Sequence, residues 1–169
     1  MTAISAIDHP LSYDELAEQL AALLAGEGDA IANTANMAAL VYHGLPRLNW
    51  AGFYFLKGDT LVLGPFQGKP ACLRIALGKG VCGTAALRRE PVLVPDVHEF
   101  PGHIACDPAS RSELVIPILD ADAVIGVLDL DSPEPERFTP LDREGLSHLV
   151  GILVRHHRRW PGSLARLLA

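Results

Sequence analysis

The stretch that decides the fold reads SELVIPILDADAVIGVLDLD and covers residues 112–131 of this 169-residue chain. Residues 112–119 and 123–131 are strand-sized runs rich in Val, Ile and Leu. The Asp-Ala-Asp segment at residues 120–122 between them is typical of a turn. The stretch therefore predicts an antiparallel β-hairpin.

A second hairpin is predicted upstream. Residues 50–56 form an aromatic, strand-like run, residues 57–60 have turn chemistry, and residues 61–63 return as a strand. We expect a loop over residues 64–70 and short strands at residues 71–75 and 92–94.

The helices are predicted from capping signals and apolar spacing. Ser12 and Glu15 match a capping box before a leucine stripe that ends near Gly26, and a second helix follows over residues 29–42. Residues 78–86 form a glycine-rich turn that opens a helix, and Thr139 caps a long final one. These elements indicate an α+β domain with a mostly antiparallel sheet. We expect the terminal helices on one face and the middle segment to enclose a pocket on the other.

Composition limits the classes of function. Hydrophobic residues make up 49% of the chain, charged residues 20%, and the net charge is −6. That charge argues against nucleic acid and anionic membranes as partners. The apolar runs are too short to span a bilayer, and the acidic N-terminus does not resemble a signal peptide. We expect a cytoplasmic protein, in which a disulfide would be transient and catalytic.

Cys106 is the cysteine best placed for chemistry. It lies in residues 96–107, whose Pro, Gly and charged residues predict a loop, and His103 is close by. Cys82 precedes a predicted helix start, where the helix dipole lowers a thiol pKa. Cys72 borders a strand, where packing alone would explain it. The three thiols predict an attacking sulfur with resolving partners.

A zinc site is the alternative for these side chains. Its ligands would come from Cys72, Cys82, His98, His103 and Cys106. No pair has the C-x-x-C spacing of structural zinc sites, so redox chemistry is the better interpretation and we expect no metal.

An acidic trio is the second candidate group. Asp129 and Asp131 are two residues apart and project from one face of their strand. Counting outward from the turn brings Glu113 beside them. Clustered carboxylates could bind a cation, and at least one could hold a proton near neutral pH. The alternative is that these carboxylates are solvent-exposed ends of strands without a functional role. Calcium binding is disfavoured because the trio supplies too few oxygen ligands.

Trp50 and Tyr54 form the third group, since they are four residues apart on one strand and share a face. Core packing is the usual explanation, although a Trp beside acidic groups also suits a small ligand with an apolar tail or a cationic head. The glycine-rich residues 78–83 lack the Walker order and are interpreted as helix-entry chemistry.

These motifs resemble the free methionine-(R)-sulfoxide reductases, which are single GAF-type domains. The resembling segments are NWAGFY at 49–54, GPFQGKPAC at 64–72, residues 78–85 and 97–107, SELVIP at 112–117 and VLDLDS at 127–132. The resemblance spans about residues 12–155. It implies one domain over residues 1–169, with residues 156–169 as a tail of no assigned role.

The resemblance also implies roles for the candidate residues. Cys106 matches the attacking cysteine, Cys72 the usual resolving cysteine, and Cys82 an alternative or second one. Trp50, Tyr54, Glu113, Asp129 and Asp131 match substrate-binding positions. The implied reaction reduces free methionine (R)-S-oxide through a sulfenic acid and a disulfide, with thioredoxin as reductant and no cofactor. A homodimer is common for the fold.

Two other classes of function stay open at this point. One is a ligand-sensing GAF module without turnover, which the fold alone motivates. The other is a zinc-binding or redox-sensing interaction protein.

Overall fold

The computed structural model describes residues 10–104 and 106–158, which form an α+β domain. The helices are α1 Tyr13–Leu24, α2 Ala30–Gly44, α3 Gly80–Arg88 and α4 Pro140–His157. The strands are β1 Trp50–Lys57, β2 Thr60–Gly68, β3 Arg74–Ala76, β4 Val92–Val94, β5 Ser112–Asp120 and β6 Ala123–Ser132. The predicted fold class is confirmed.

One six-stranded sheet organises the domain, in the order β3-β2-β1-β6-β5-β4. Every neighbouring pair in it is antiparallel. Both predicted hairpins are present, as β1–β2 and β5–β6, and their inner strands β1 and β6 pair with each other. The sheet therefore brings the two hairpins together at its centre.

The helices α1, α2 and α4 lie on one face of the sheet, as predicted. Ser12 and Glu15 form the expected capping box at the start of α1. Thr139 caps α4, Pro140 is its first residue, and Asp142 completes a second capping box. The predicted core residues of α4 are all buried: Leu146, Leu149, Val150, Leu153 and Val154.

Alternation along β1 divides the core between the two faces of the sheet. Phe53 and Phe55 pack into the helix-side core. Trp50 and Tyr54 point to the opposite face, where they pack with residues of α3. The helix side is sealed by apolar contacts, so the other face is where the candidate site residues gather.

Two boundaries differ from the sequence prediction. Residues 64–68, expected as a loop, continue β2 because they pair with β1 as far as Trp50 opposite Gly68. The short strand predicted at residues 71–75 begins only at Arg74. Cys72 therefore lies in an irregular segment before β3 rather than on a strand.

Residues 1–9 lie outside the described residues, as does most of the predicted tail, residues 156–169. Among the helices that the structure does describe, none has the length and apolarity required to cross a bilayer.

Candidate active site

The floor of the candidate site is a row of side chains across three strands. Trp50 on β1 is directly opposite Asp131 on β6, and Asp131 is directly opposite Glu113 on β5. Residues that pair across neighbouring strands point to the same face of a sheet. The prediction that Glu113 falls beside the two aspartates is confirmed, and its direct partner is Asp131.

A second row, one step along the strands, contributes Asp129. It pairs with Gly52 on β1 and Val115 on β5. A Cβ at Gly52 would lie 2.6 Å from Cη2 of Trp50 and 2.9 Å from Cα of Phe66. Gly52 therefore leaves the space that the Trp50 ring occupies beside the acidic group.

The three carboxyl groups lie close together; Glu113 and Asp129 are buried, and Asp131 is partly buried. Burial raises the pKa of Glu113, Asp129 and Asp131 well above the usual range. The second cause is a neighbouring carboxylate in each case: Asp131 for Glu113, Glu113 for Asp129, and Asp129 for Asp131. Carboxyl groups in this setting retain protons near neutral pH. The trio can therefore donate a proton as well as bind a cation.

His103 reaches this floor from the opposite side of the pocket. Its Nε2 lies 3.3 Å from Oε2 of Glu113, and its side chain is 14% exposed. Burial lowers the pKa of His103 while it raises that of Glu113, so both groups tend toward their neutral forms. The contact is therefore a close approach of two polar groups whose neutral forms are favoured, rather than an ion pair.

The sulfur atoms lie at the rim of the pocket. Cys72 and Cys106 form a disulfide that joins two segments 34 residues apart, with a Cα–Cα distance of 5.8 Å. The backbone N–H of Cys72 donates to Sγ of Cys106 over 3.3 Å. Both the expected attacking cysteine and the expected resolving cysteine are thus within bonding distance of each other. Cys106 lies in the predicted loop, after a single 3₁₀ turn at Val97–Glu99.

Cys82 is a free thiol beneath this rim, and one expectation about it is wrong. It is the third residue of α3 rather than a residue before the helix, and it is 3% exposed. Burial, followed by the charge of Asp129, raises its pKa well above the usual value. Burial, together with the nearby carboxyl groups, outweighs the helix dipole, so the thiol stays protonated near neutral pH.

Asp107 anchors the rim, and sequence reasoning missed it. Its carboxylate accepts hydrogen bonds from the backbone N–H of Ala109 at 3.0 Å and from Nδ2 of Asn49 at 3.3 Å. Lys69 lies 3.2 Å from its Oδ2. The Ala109 bond and then Lys69 lower the pKa of Asp107. The signal in the sequence is the Asp-Pro-Ala-Ser order directly after Cys106, which is turn chemistry.

Aromatic rings form the wall beside the floor. Trp50 stacks on Tyr54 and on Phe66, with centroids 5.9 Å and 5.4 Å apart. The indole N–H of Trp50 donates to the carbonyl of Lys69 at 3.1 Å. This bond ties the wall to the segment that carries Cys72. Burial raises the pKa of Tyr54, so its hydroxyl is neutral.

Together these groups line one pocket, whose mouth opens to solvent. All eight site residues expected from the sequence line the pocket or bond to a residue that does: Trp50, Tyr54, Cys72, Cys82, Cys106, Glu113, Asp129 and Asp131. The residues that sequence reasoning left out include Gly52, Lys69 and Asp107.

The five-residue zinc set is not brought together. Cys72 and Cys106 bond to each other, and His98 is 64% exposed beside Asp96. In the described part of the chain, a different group has metal-ligand spacing, since atoms of Cys82, Glu113 and Asp129 lie within 4.8 Å of one another. That group belongs to the pocket floor.

Known proteins share this fold and much of this sequence. The GAF domain family model matches residues 12–156. The free methionine-R-sulfoxide reductase of Escherichia coli K12 is 54% identical over 143 residues, covering 85% of this chain and 87% of that protein.

Two solved structures resemble the chain closely, and both hold a substrate. The fRMsr of Staphylococcus aureus, in complex with substrate, has a TM-score of 0.84 and 48% identity, covering 88% of this chain and 97% of that one. The free methionine-R-sulfoxide reductase of Neisseria meningitidis, in complex with its substrate, has a TM-score of 0.86 and 39% identity, covering 94% and 96%.

Proposed function

Because the chain belongs to the GAF domain family, and within it to the free methionine-R-sulfoxide reductases, we propose that it reduces free L-methionine (R)-S-oxide to L-methionine. The observation that carries the proposal is the Cys72–Cys106 pair at the rim of a pocket whose floor holds three carboxyl groups, two of them buried. A nucleophilic sulfur and an acid are the two groups that sulfoxide reduction requires.

The first step joins Cys106 to the substrate. The Cys106 thiolate attacks the sulfoxide sulfur and forms an S–S bond, while the sulfoxide oxygen takes up two protons and leaves as water. Water then attacks Sγ of Cys106, the S–S bond breaks, methionine leaves as the thioether, and Cys106 is left as a sulfenic acid with release of one proton. The sulfoxide sulfur gains the two electrons that the cysteine sulfur loses.

The second step closes the disulfide. The Cys72 thiol attacks Sγ of the sulfenic acid, a sulfur–sulfur bond forms, and water leaves with the oxygen. The 5.8 Å Cα–Cα distance supports this step, because it lies in the range that an S–S bond spans without backbone rearrangement. Cys82 is the alternative resolving thiol, but its burial beside Asp129 favours Cys72.

The acidic trio divides two tasks. A sulfoxide oxygen leaves only when protonated, so one neutral carboxyl group acts as general acid. The substrate ammonium needs a carboxylate, which another member of the coupled trio supplies. Trp50 and Tyr54 pack against the apolar part of the substrate.

Binding of the substrate ammonium by a carboxylate makes the pocket selective for the free amino acid. A methionine sulfoxide residue inside a peptide carries no ammonium at that position, so its amide would leave the buried carboxylate unpaired. Unpaired buried polar groups reject an analogue strongly. We therefore propose that peptide-bound methionine sulfoxide is a poor substrate.

Recycling returns the disulfide to two thiols. We propose that cytoplasmic thioredoxin supplies the two electrons and two protons, so that no bound cofactor takes part. We also propose a homodimer, because homodimers are common for this fold.

The test is turnover of separated sulfoxide epimers. We expect methionine release from the (R)-S-oxide and not from the (S)-S-oxide, with dithiothreitol or thioredoxin as reductant. Cys106→Ser should abolish release, whereas Cys72→Ser should leave a single turnover of about one methionine per chain and impair the rest. Equal inactivity toward both epimers would overturn the proposal. A large ligand-dependent thermal shift with a cyclic nucleotide would then favour a sensing module.

A further inference from the structure

The pocket floor offers a second kind of ligand set, because not all of its donor atoms are oxygen. Sγ of Cys82 and carboxylate oxygens of Glu113 and Asp129 lie within 4.8 Å of one another, and all three residues are buried. The acidic trio that the proposed reaction uses supplies oxygen alone. The floor also holds the sulfur of Cys82, which the proposed route through Cys72 leaves unused.

His103 brings a nitrogen to the same place. Its Nε2 lies 3.3 Å from Oε2 of Glu113. Ligand atoms bound at about 2.0–2.3 Å to a tetrahedral metal ion lie about 3.3–3.6 Å from one another. The distance between the His103 nitrogen and the Glu113 oxygen already falls in that range. The other donor atoms would reach it through small side-chain rotations.

One oxygen of Asp129 has no partner within the part of the chain that the structure describes. This atom, Oδ1, is buried and accepts no hydrogen bond there, and the whole residue is 6% exposed. A buried carboxylate oxygen without a donor is costly, and a bound cation satisfies it as a hydrogen bond would. The unpaired oxygen is independent of the composition of the group, and it points to a positively charged ligand.

Three of the four donors are held on regular elements, and all four can be reached from solvent. Cys82 lies on α3, Glu113 on β5 and Asp129 on β6. A Cβ at Gly83 would clash with the carbonyl oxygen of Ala76, so the glycine allows α3 to pack this closely. The four donor residues line the pocket, whose mouth opens to solvent, so an ion has an entry path.

We propose that four side chains of the pocket form a binding site for a thiophilic divalent cation such as zinc: Cys82, His103, Glu113 and Asp129. Zinc accepts thiolate, imidazole and carboxylate ligands together, whereas magnesium and calcium prefer oxygen alone. The Cys82 thiol releases its proton to solvent as the ion binds. The ion acts as an inhibitor rather than a resident cofactor, because it occupies carboxyl groups that the substrate needs. This inhibitory role rests on the proposed function.

The experiment measures zinc binding to the oxidised protein. The chain has three cysteines, so closing the Cys72–Cys106 disulfide leaves Cys82 as the one thiol that can bind the ion. Zinc is titrated in competition with a chromogenic chelator, and we expect one ion per chain. Cys82→Ala and Asp129→Asn should each weaken binding about a hundredfold or more, since loss of a group that merely orients a ligand already costs about 10–100-fold. His103→Leu should weaken it about tenfold, because water can take the fourth position.

Cobalt identifies the sulfur ligand. Co²⁺ in place of zinc should give a thiolate-to-metal charge-transfer absorption with the unchanged protein and none with Cys82→Ala. His98→Ala is the matched control, because His98 is exposed and lies outside the pocket. It should leave the zinc affinity unchanged. Zinc binding that survives both Cys82→Ala and Asp129→Asn would overturn the proposal, since surface histidines would then hold the ion.

Competition with the substrate separates the metal site from the proposed function. L-Methionine (R)-S-oxide should displace zinc from the oxidised protein, which cannot turn it over. L-Alanine, which chelates zinc in solution through the same two groups, should not. Absence of zinc binding beside normal turnover of the (R)-S-oxide would overturn the metal site alone. Zinc held through Cys82 but indifferent to the sulfoxide, beside normal turnover, would overturn the inhibitory role. Zinc held through Cys82 in a protein that turns over neither epimer would instead overturn the proposed function.

Discussion

The backbone N–H of Cys72 donates a hydrogen bond to Sγ of Cys106 over 3.3 Å. A donor at this position stabilises negative charge as it develops on the Cys106 sulfur. The same bond therefore favours Cys106 both as the attacking thiolate and as the leaving group when the disulfide is reduced. The sulfur of Cys72 has no equivalent donor among the hydrogen bonds of the described residues.

This asymmetry predicts which sulfur the reductant attacks. We expect the mixed disulfide to form on Cys72, with Cys106 released as thiolate, because the better stabilised thiolate leaves faster. Oxidised enzyme is mixed with a thioredoxin whose second cysteine is replaced by serine, and the trapped adduct is mapped by mass spectrometry. An adduct found mainly on Cys106 would contradict the assignment.

Cys82→Ala tests whether the buried thiol takes part in turnover. We expect dithiothreitol-driven kcat to stay within about threefold of the unchanged enzyme, because a protonated thiol 3% exposed is a poor nucleophile. Thiol titration of the denatured, oxidised protein should find one free thiol in the unchanged chain and none in the variant. A loss as complete as that of Cys106→Ser would restore Cys82 as the resolving cysteine.

His103→Leu tests the polar contact between His103 and Glu113. We expect kcat/KM to fall about tenfold, since a buried carboxyl group then loses a partner worth about 1–2 kcal/mol. His103→Gln keeps a polar group of similar reach and should recover most of the loss. Both variants are measured from about pH 6 to about pH 9, because a merely structural role would leave the shape of the pH profile unchanged.

Asp129→Asn should make the protein more stable and less active. Burial raises the folded pKa of Asp129 above its unfolded value of about 3.9, so its stability contribution is full below that pH and is lost as pH rises toward the folded value. At about pH 8 we expect the variant to gain about 1–3 kcal/mol in the free energy of unfolding, and near about pH 4 almost none. Urea unfolding at both pH values checks the sign. A variant less stable at about pH 8 would show that the carboxylate is paired instead.

Gly52→Ala should damage the pocket wall. The added Cβ meets the Trp50 ring at 2.6 Å and the Phe66 backbone at 2.9 Å, so one of them must move. We expect a loss of about 1–3 kcal/mol in stability and a higher KM. Gly151→Ala in α4 is the matched control. Its nearest neighbour is the flexible Arg155 guanidinium at 3.0 Å, so it should stabilise the helix by about 0.5–1 kcal/mol.

Much of the site follows from the strand pattern alone. The hairpin spacing places Glu113 beside Asp129 and Asp131, and the four-residue spacing places Trp50 and Tyr54 on one face. The direct partner of Glu113 is Asp131 rather than Asp129, a shift of two residues: one arises because the hairpin closes with Asp120 opposite Ala123, and one because the register changes between Ile118 and Leu119. Counting from the turn cannot detect such an irregularity, since it leaves no mark on the apolar pattern.

What the sequence could not provide are contacts between distant segments. The length of β2 depends on pairing with β1, which overrides the local signal of Gly64 and Pro65. The prediction that the helix start lowers the pKa of Cys82 is wrong, because the thiol is buried and lies beside carboxyl groups from distant strands. The role of Asp107 depends on Asn49 and Lys69, which are distant in the sequence and contact its carboxylate only in the fold.

The division between a floor on paired strands and a rim on connecting segments has an evolutionary consequence. Glu113 and Asp131 are fixed by ladder pairing at the centre of the sheet, whereas Cys72 and Cys106 lie on segments that join elements. Substitutions in those connecting segments can change which reductant reacts with the disulfide without changing the pocket floor. A homologue without Cys72 and Cys106 could therefore keep the pocket and bind a small ammonium compound.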